Sequence, residues 1–501
     1  MATCHLPNPG LLLLLVVTFA HNAGCARSVA TIDSARKAFA MGDLKEAADM
    51  LHAVATESAK MTDAAELDMA VVELASGNAA AAESRLRILR DRFDTTPGLS
   101  PLHEAAAILT DDTARIFRPA GYEEVMIRTM LAVCSLAGDQ IDAESYTLQA
   151  INHQAKLAAQ AEKNFLNHSD IYQPIAVAPY LRGVLREATH HDYDDATRSY
   201  QLVSSVRPQF AAAQADIARS SGGAHSAPGH GVLYVISCVG RGPILQEIVA
   251  PTTTAALAIA STVLNSATNQ TNDDTDGPDR SDDDDEPIAL PNIASVKVPE
   301  VVIPNSPLAT VGVLVNGAAI GTTETLTDVG ELAILQNTAE MPWTIARAVI
   351  RRVTKEAAVA TVGDSLGLEG TAGSLFHFAA ASAWSGTEKA DTRCWGLLPR
   401  EIQVLRAELP AGIHQIHLMP LGYGGNPLAT GVVNTVTITD GRNQYLIVVA
   451  PTEQMHVVTS DQTPTNSGTV TDSGTVTDSG TVTSTTAPTL STTPVAFSIA
   501  N

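Results

Sequence analysis

The chain is 501 residues long, carries 54 acids against 31 Lys and Arg for a net charge of −23, and contains only 4% aromatic residues. That length accommodates roughly two to four domains with cores of their own, and the charge would repel nucleic acid and anionic lipid headgroups alike. Few aromatics and abundant alanine favour helices that approach one another closely.

Leu11 to Ala20 is apolar except for Thr18. It has the length of a signal-peptide core and falls short of the ~20 residues a helix needs to cross a bilayer. Ala23-Gly24-Cys25 follows, small residues before a cysteine, as a lipoprotein signal peptidase requires. Residues 1–25 read as the signal peptide, with Cys25 lipidated and the product held in the cell envelope, at the outer membrane or in the periplasm. Asn22 stands where an aliphatic residue is usual and no Lys or Arg precedes the apolar run. An ordinary signal peptide cut near Ala26 is the alternative.

Residues 28–220 read as helices. A turn residue recurs five positions before an alanine: Gly42 and Ala47, Gly77 and Ala82, Gly138 and Ala143, His191 and Ala196. Leu51, Leu86, Thr147 and Tyr200 each lie four residues further on, and Pro208 follows the last copy. The first two glycines are 35 residues apart, near the tetratricopeptide period of about 34. The pattern predicts stacked helical hairpins of that kind, each covering its neighbour, and a docking surface for envelope proteins.

Residues 221–231 read as a Ser/Gly-rich linker to an α/β domain over 232–400. Strands are predicted at 232–238, 244–249, 296–303 and 310–315, the last ending at Asn316-Gly317. Residues 266–288 form an acidic, disordered insertion by composition, with nine acids between 269 and 287. Helices are predicted over 342–360 and 373–385. Residues 401–455 read as a small β-sandwich-like module, in which 432–439 and 444–449 pair across Asp440-Gly441 as a hairpin. From 456 to 501 the chain is Thr/Ser-rich, repeats Ser-Gly-Thr-Val-Thr-Asp at 467 and 473, and reads as a disordered tail. The fold class is therefore α plus α+β.

Candidate chemistry is sparse. Asp391, Arg393 and Trp395 precede the β module, and an Asp and Arg two apart in extended chain share a face. They read as a structural clamp or as a polar site. His190 to Asp195 holds metal-ligand residue types but sits where a hairpin needs its turn, and His414 and His417 face opposite sides of a strand, so no metal site is assigned. Asn272 to Gly277 echoes a calcium loop, without the closing Glu or flanking helices. Cys238 and Cys394 are either bridged or buried free thiols. Neither a phosphate loop nor a nucleophile elbow is evident, and no cofactor is expected.

Four stretches in order carry a resemblance. They are Gly121-Tyr122-Glu123-Glu124-Val125 with Gly138-Asp139, Ala178-Pro179-Tyr180-Leu181-Arg182-Gly183 with Asp192 to Ala196, and Ile345 to Arg351 with Lys355. The fourth is Ala390-Asp391-Thr392-Arg393-Cys394-Trp395 with Leu398-Pro399 and Leu409-Pro410-Ala411-Gly412. Over roughly 28–450 the chain resembles an uncharacterised family of bacterial lipoproteins with tetratricopeptide-like N-terminal halves. The resemblance brings no activity, only a neighbourhood: cell-envelope lipoproteins, among them activators of penicillin-binding proteins. Together these readings lead to a non-enzymatic envelope lipoprotein that scaffolds partner proteins through its helices. The alternatives are a passive structural component and an envelope enzyme, for instance one acting on glycans, with a site near Asp391 and Arg393.

Overall fold

The computed structural model describes residues 28–96, 117–163, 174–273, 295–365 and 389–460. Its helical half contains α1 (28–40), α2 (Leu44–Glu57), α3 (Thr62–Ala75), α4 (Ala79–Thr95), α5 (Gly121–Ala137), α6 (Ala143–Lys163), α7 (Val177–Glu187), α8 (Tyr193–Val206) and α9 (Ala212–Ser221). The first eight pair as hairpins. The turns place Gly42, Gly77, Gln140 and His190 at φ of 85°, 82°, 64° and 63°. This left-handed region is open to glycine and strained for the other two. Asp43 and Asn78 then accept from the backbone N–H of Glu46 and Ala81, capping α2 and α4.

The recurring alanines Ala47, Ala82, Ala143 and Ala196 are all fully buried, as are Leu51, Leu86, Thr147 and Tyr200 four residues on. Small side chains at these places let the second helix of each hairpin lie close against the first. Two layers result. α5 is buried along its whole length apart from Glu124, whereas α2 and α8 bury only one stripe each. The inner helices pack on a sheet and the outer ones face water on one side.

The second half contains β1 (His230–Arg241), β2 (Ile244–Pro251), α10 (Thr254–Asp273), β3 (Ser295–Val302), β4 (Leu308–Val315), β5 (Ala318–Thr322), β6 (Glu324–Asp328), α11 (Val329–Ser365), β7 (Pro399–Pro410), β8 (Gly412–Gly422), β9 (Val432–Ile438), β10 (Asn443–Ala450) and β11 (His456–Thr459). A five-stranded sheet has the order β11-β10-β1-β7-β6, a four-stranded one the order β5-β4-β8-β9, and β2 pairs with β3. β1 runs parallel to β10 and antiparallel to β7. Its interior residues are buried on both faces, which is why it reads as an unbroken apolar run. Tyr234, Ile236 and Cys238 share a core with the helices, and Leu233, Val235 and Val239 share another with Val311, Val313, Ile416, Leu418 and Val436 of the four-stranded sheet. Each large aliphatic side chain in these layers contributes about 1.5–3 kcal/mol by leaving water. A third core joins α10 and α11 to β2 and β3.

The chain is thus a helical half followed by a mixed half, with several departures from the expected boundaries. The predicted hairpin across Asp440-Gly441 does not form: β9 pairs with β8, and β10 with β1 and β11. The turn is instead a corner between sheets, where Asp440 Oδ1 accepts from Gly229 N and Gly441 N donates to the His230 carbonyl. Turn chemistry reverses the chain locally, but β10 is apolar on both faces and needs a central position in a sheet. For the same reason the strands of 401–455 are shared between two sheets rather than closing on themselves. The expected linker is anchored: His225 is buried, bonds Asn443, and lends its carbonyl to Arg406. α11 starts at Val329 rather than Pro342, because Asp328 caps it by accepting from Glu331 N. α10 extends to Asp273, into the start of the acidic insertion, and β11 occupies the start of the expected tail. The sequence does not predict β5 and β6. The signal peptide, the predicted helix over 373–385, the rest of the insertion and the tail from 461 lie outside the described residues.

Candidate functional site

The predicted residues Asp391, Arg393 and Trp395 lie on an extended strap, residues 389–398, that runs over the inner helices to β7. Arg393 donates through Nε to Asp391 Oδ1 at 2.8 Å and through Nη2 to Oδ2 at 2.5 Å. Its Nη1 reaches the Lys60 carbonyl at 3.0 Å, and the guanidinium lies 5.6 Å over the Phe117 ring. The Arg393 side chain is only 5% exposed, and the fork tethers the strap to the helices. Trp395 is fully buried, and its backbone N–H donates to Glu123 Oε1 at 2.8 Å.

Residues that the sequence does not single out complete the junction. Arg36 of α1 donates to Asp68 Oδ2 of α3 and to the Cys394 carbonyl, both at 2.8 Å, and Leu397 N donates to Asp68 Oδ1 at 2.9 Å. Burial pushes the Asp68 carboxyl up while Arg36 pulls it back. Glu123 of α5 accepts from Trp395 N and Ala120 N. Burial pushes its carboxyl up to about 7, against the pull of those bonds. Two acids from separate helices therefore hold the strap's backbone by two N–H groups. The signal for them in the sequence is an acid inside an apolar helical run, as with Asp68 between Leu67 and Met69.

A second buried junction ties α7, α8 and α9 to β7. Glu187 receives two bonds from Arg219, at 2.6 and 2.9 Å, and one from Tyr200 at 2.7 Å, with Arg406 at 3.9 Å. Asp216 pairs with Arg219 at 2.7 Å. Two acids and two arginines balance, which makes this a structural network.

Cys134, Cys238 and Cys394 are free and buried, so the bridge between the last two is not formed. Burial pushes the Cys238 thiol up to about 12 and Cys394 to about 11, leaving neither a thiolate nucleophile. His190 turns the α7–α8 hairpin and bonds the Gly441 carbonyl at 2.7 Å, while His414 and His417 bond backbone carbonyls. Among the described residues no cluster of three or more His, Cys, Asp or Glu could hold a metal ion. The calcium-like sequence lies outside those residues beyond Asp273, as does Cys25. No helix among the described residues is long and apolar enough to cross a membrane.

Beside the strap is a cavity of about 490 Å³, between α1, the end of β1, β2 and residues 396–399. No family model, curated protein or solved structure matches the chain.

Proposed function

We propose that this chain is an exported, lipid-anchored protein of the cell envelope that holds partner proteins on a tetratricopeptide-like array without catalysing a reaction. Repeated hairpins with buried alanines support the array, and the two facing sheets serve as a β-sandwich-like base beneath it. In such arrays the inner helices usually line the docking groove. Here those helices rest on the five-stranded sheet and the strap, so docking falls to the outer layer. One observation carries that assignment: Ile88 on α4 is 58% exposed and Ile141, in the turn leading into α6, is 79% exposed, and their sequence neighbours Arg87 and Asp142 pair at 3.7 Å. Exposed apolar side chains next to a charged pair are the composition of a protein-contact surface. Cys25 lies three positions before α1, so its acyl chains would hold the α1 end at the membrane. The glycan-enzyme reading has no comparable support, because Asp391 and Arg393 satisfy each other.

The test is cross-linking in intact cells followed by affinity purification of the full chain and of an Ile88→Asp/Ile141→Asp double variant with unchanged thermal stability. One envelope protein should be captured by the parent and lost from the variant. Equal recovery from both would refute the assignment.

A further inference from the structure

We propose that the cavity beside the strap binds a small amphiphilic carboxylate, its acid group on Arg241 and its apolar body against Phe39, Val71, Leu245 and Val302. The starting point is a contrast among the arginines at this junction. Arg36 has Asp68, and Arg393 has Asp391. Arg241, at the last position of β1 and half-buried in the cavity wall, has no ion pair or side-chain hydrogen bond among the described residues. Burial pushes its pKa down with no acid to oppose the shift. A guanidinium withdrawn from water without a counter-ion destabilises the fold unless something else supplies one.

The placement of Arg241 is enforced from both sides. Gly240 has φ 77°, and a Cβ there would lie 3.1 Å from Arg400 Cβ. At Gly242 a Cβ would lie 1.9 Å from the Leu398 carbonyl oxygen. Side chains are disfavoured on either side, so the backbone of Arg241 is clamped against the strap where that residue lines the cavity. Asp33, the acid that lines the same cavity, is engaged with Arg36 at 3.8 Å. Lys37, exposed at the rim, adds a second positive charge.

The ligand class follows from this arrangement. One unpaired guanidinium presents a planar fork that a carboxylate meets with two parallel hydrogen bonds. A single unpaired, half-buried cation balances a monoanion better than a doubly charged phosphate monoester, because Lys37 is in water and screened. Phe39, Val71, Leu245 and Val302 supply apolar wall beside the polar Gln246 and Asn305, and a cavity of about 490 Å³ falls within the range of small-molecule sites. Cys238 also lines it, but its thiol is held protonated, so binding is non-covalent.

The experiment is calorimetric titration of the full chain with octanoate below its micelle concentration. Octanol and octyl phosphate serve as the neutral and doubly charged comparisons. The expected result is one saturable octanoate site per chain, at least about tenfold weaker for either comparison and in Arg241→Ala, which loses a charge-assisted bond. Octanol affinity should be the same in Arg241→Ala as in the parent. Val302→Trp, which fills the cavity, should abolish octanoate binding while the unfolding temperature stays close to that of the parent. The proposal is overturned if the parent shows no saturable octanoate binding. It is also overturned if Arg241→Ala binds octanoate as tightly as the parent, if octyl phosphate is preferred, or if Val302→Trp leaves binding intact.

Discussion

Glu123 offers the sharpest test of the junction between strap and helices. Its carboxyl is buried and is pushed from the ordinary 4.5 up to about 7. Because the folded-state value is the higher one, the folded protein binds a proton that the unfolded chain releases between these values. The stability contribution is fully present below pH 4.5 and is lost as the pH rises through about 7. At 1.36 kcal/mol for each unit, the difference between pH 4 and pH 8 comes to about 3 kcal/mol. Glu123→Gln removes the titration. It also replaces one of the two oxygens that accept from Ala120 and Trp395, at a pH-independent cost of about 1–3 kcal/mol. The diagnostic quantity is therefore a difference of differences: denaturant unfolding of parent and variant at pH 5 and at pH 8, in which titrating groups not coupled to Glu123 cancel. Relative to the parent, Glu123→Gln should gain on going from pH 5 to pH 8 by about 2.5 kcal/mol. Parallel pH dependences in the two proteins would show that Glu123 is not buried beneath the strap.

Other perturbations probe different parts of the fold. Asp68→Ala leaves Arg36 buried without its acid and frees Leu397 N; denaturant unfolding should show a loss of about 3–5 kcal/mol, and a loss below about 1 would argue against the junction. Gly183→Ala places a Cβ 2.7 Å from the Tyr200 ring and should cost about 1–3 kcal/mol by calorimetry, and much less when introduced into a Tyr200→Leu background, where the ring is gone. The three buried thiols should stay unmodified by a disulfide reagent at pH 8 until the chain unfolds globally; fast labelling of Cys238 or Cys394 in the native state would contradict their burial. Arg241→Ala should leave the unfolding temperature unchanged or raise it, since an uncompensated charge is removed; a drop would reveal a partner for Arg241.

The features legible in the sequence are those set by local chemistry. Gly42 and Gly77 mark hairpin turns, and the alanines five positions on mark the close helix contacts, because one backbone conformation and one volume limit suffice for each. β1 is legible as a strand because burial on both faces leaves no polar alternation to confuse the period. Pairing is another matter. Asp440-Gly441 specifies a reversal, yet whether the next strand joins the same sheet depends on β1, some 200 residues away in sequence. β5 and β6, five residues each and rich in Ala, Gly and Thr, carry too little pattern to stand out. Asp391 and Arg393 are visible as a pair, but their role depends on Lys60 and Phe117, which no spacing links to them. The acids that hold the strap, Asp68 and Glu123, are hidden for the same reason, since their partners are backbone N–H groups contributed by residues 395 and 397.

Docking by the outer layer requires that the inner helices be committed to the sheet, so that helical half and β half form one body. Hydrogen exchange of the full chain across a denaturant series tests this directly, through the free energy at which each segment opens. Amides of α5 and β1 should open together at the global unfolding free energy, since their side chains share one core. If α1 to α9 instead open as a group several kcal/mol below β1 and β10, the array is a separable domain. Its inner face would then be free to meet partners, contradicting both the single body and the assignment of docking to the outer layer.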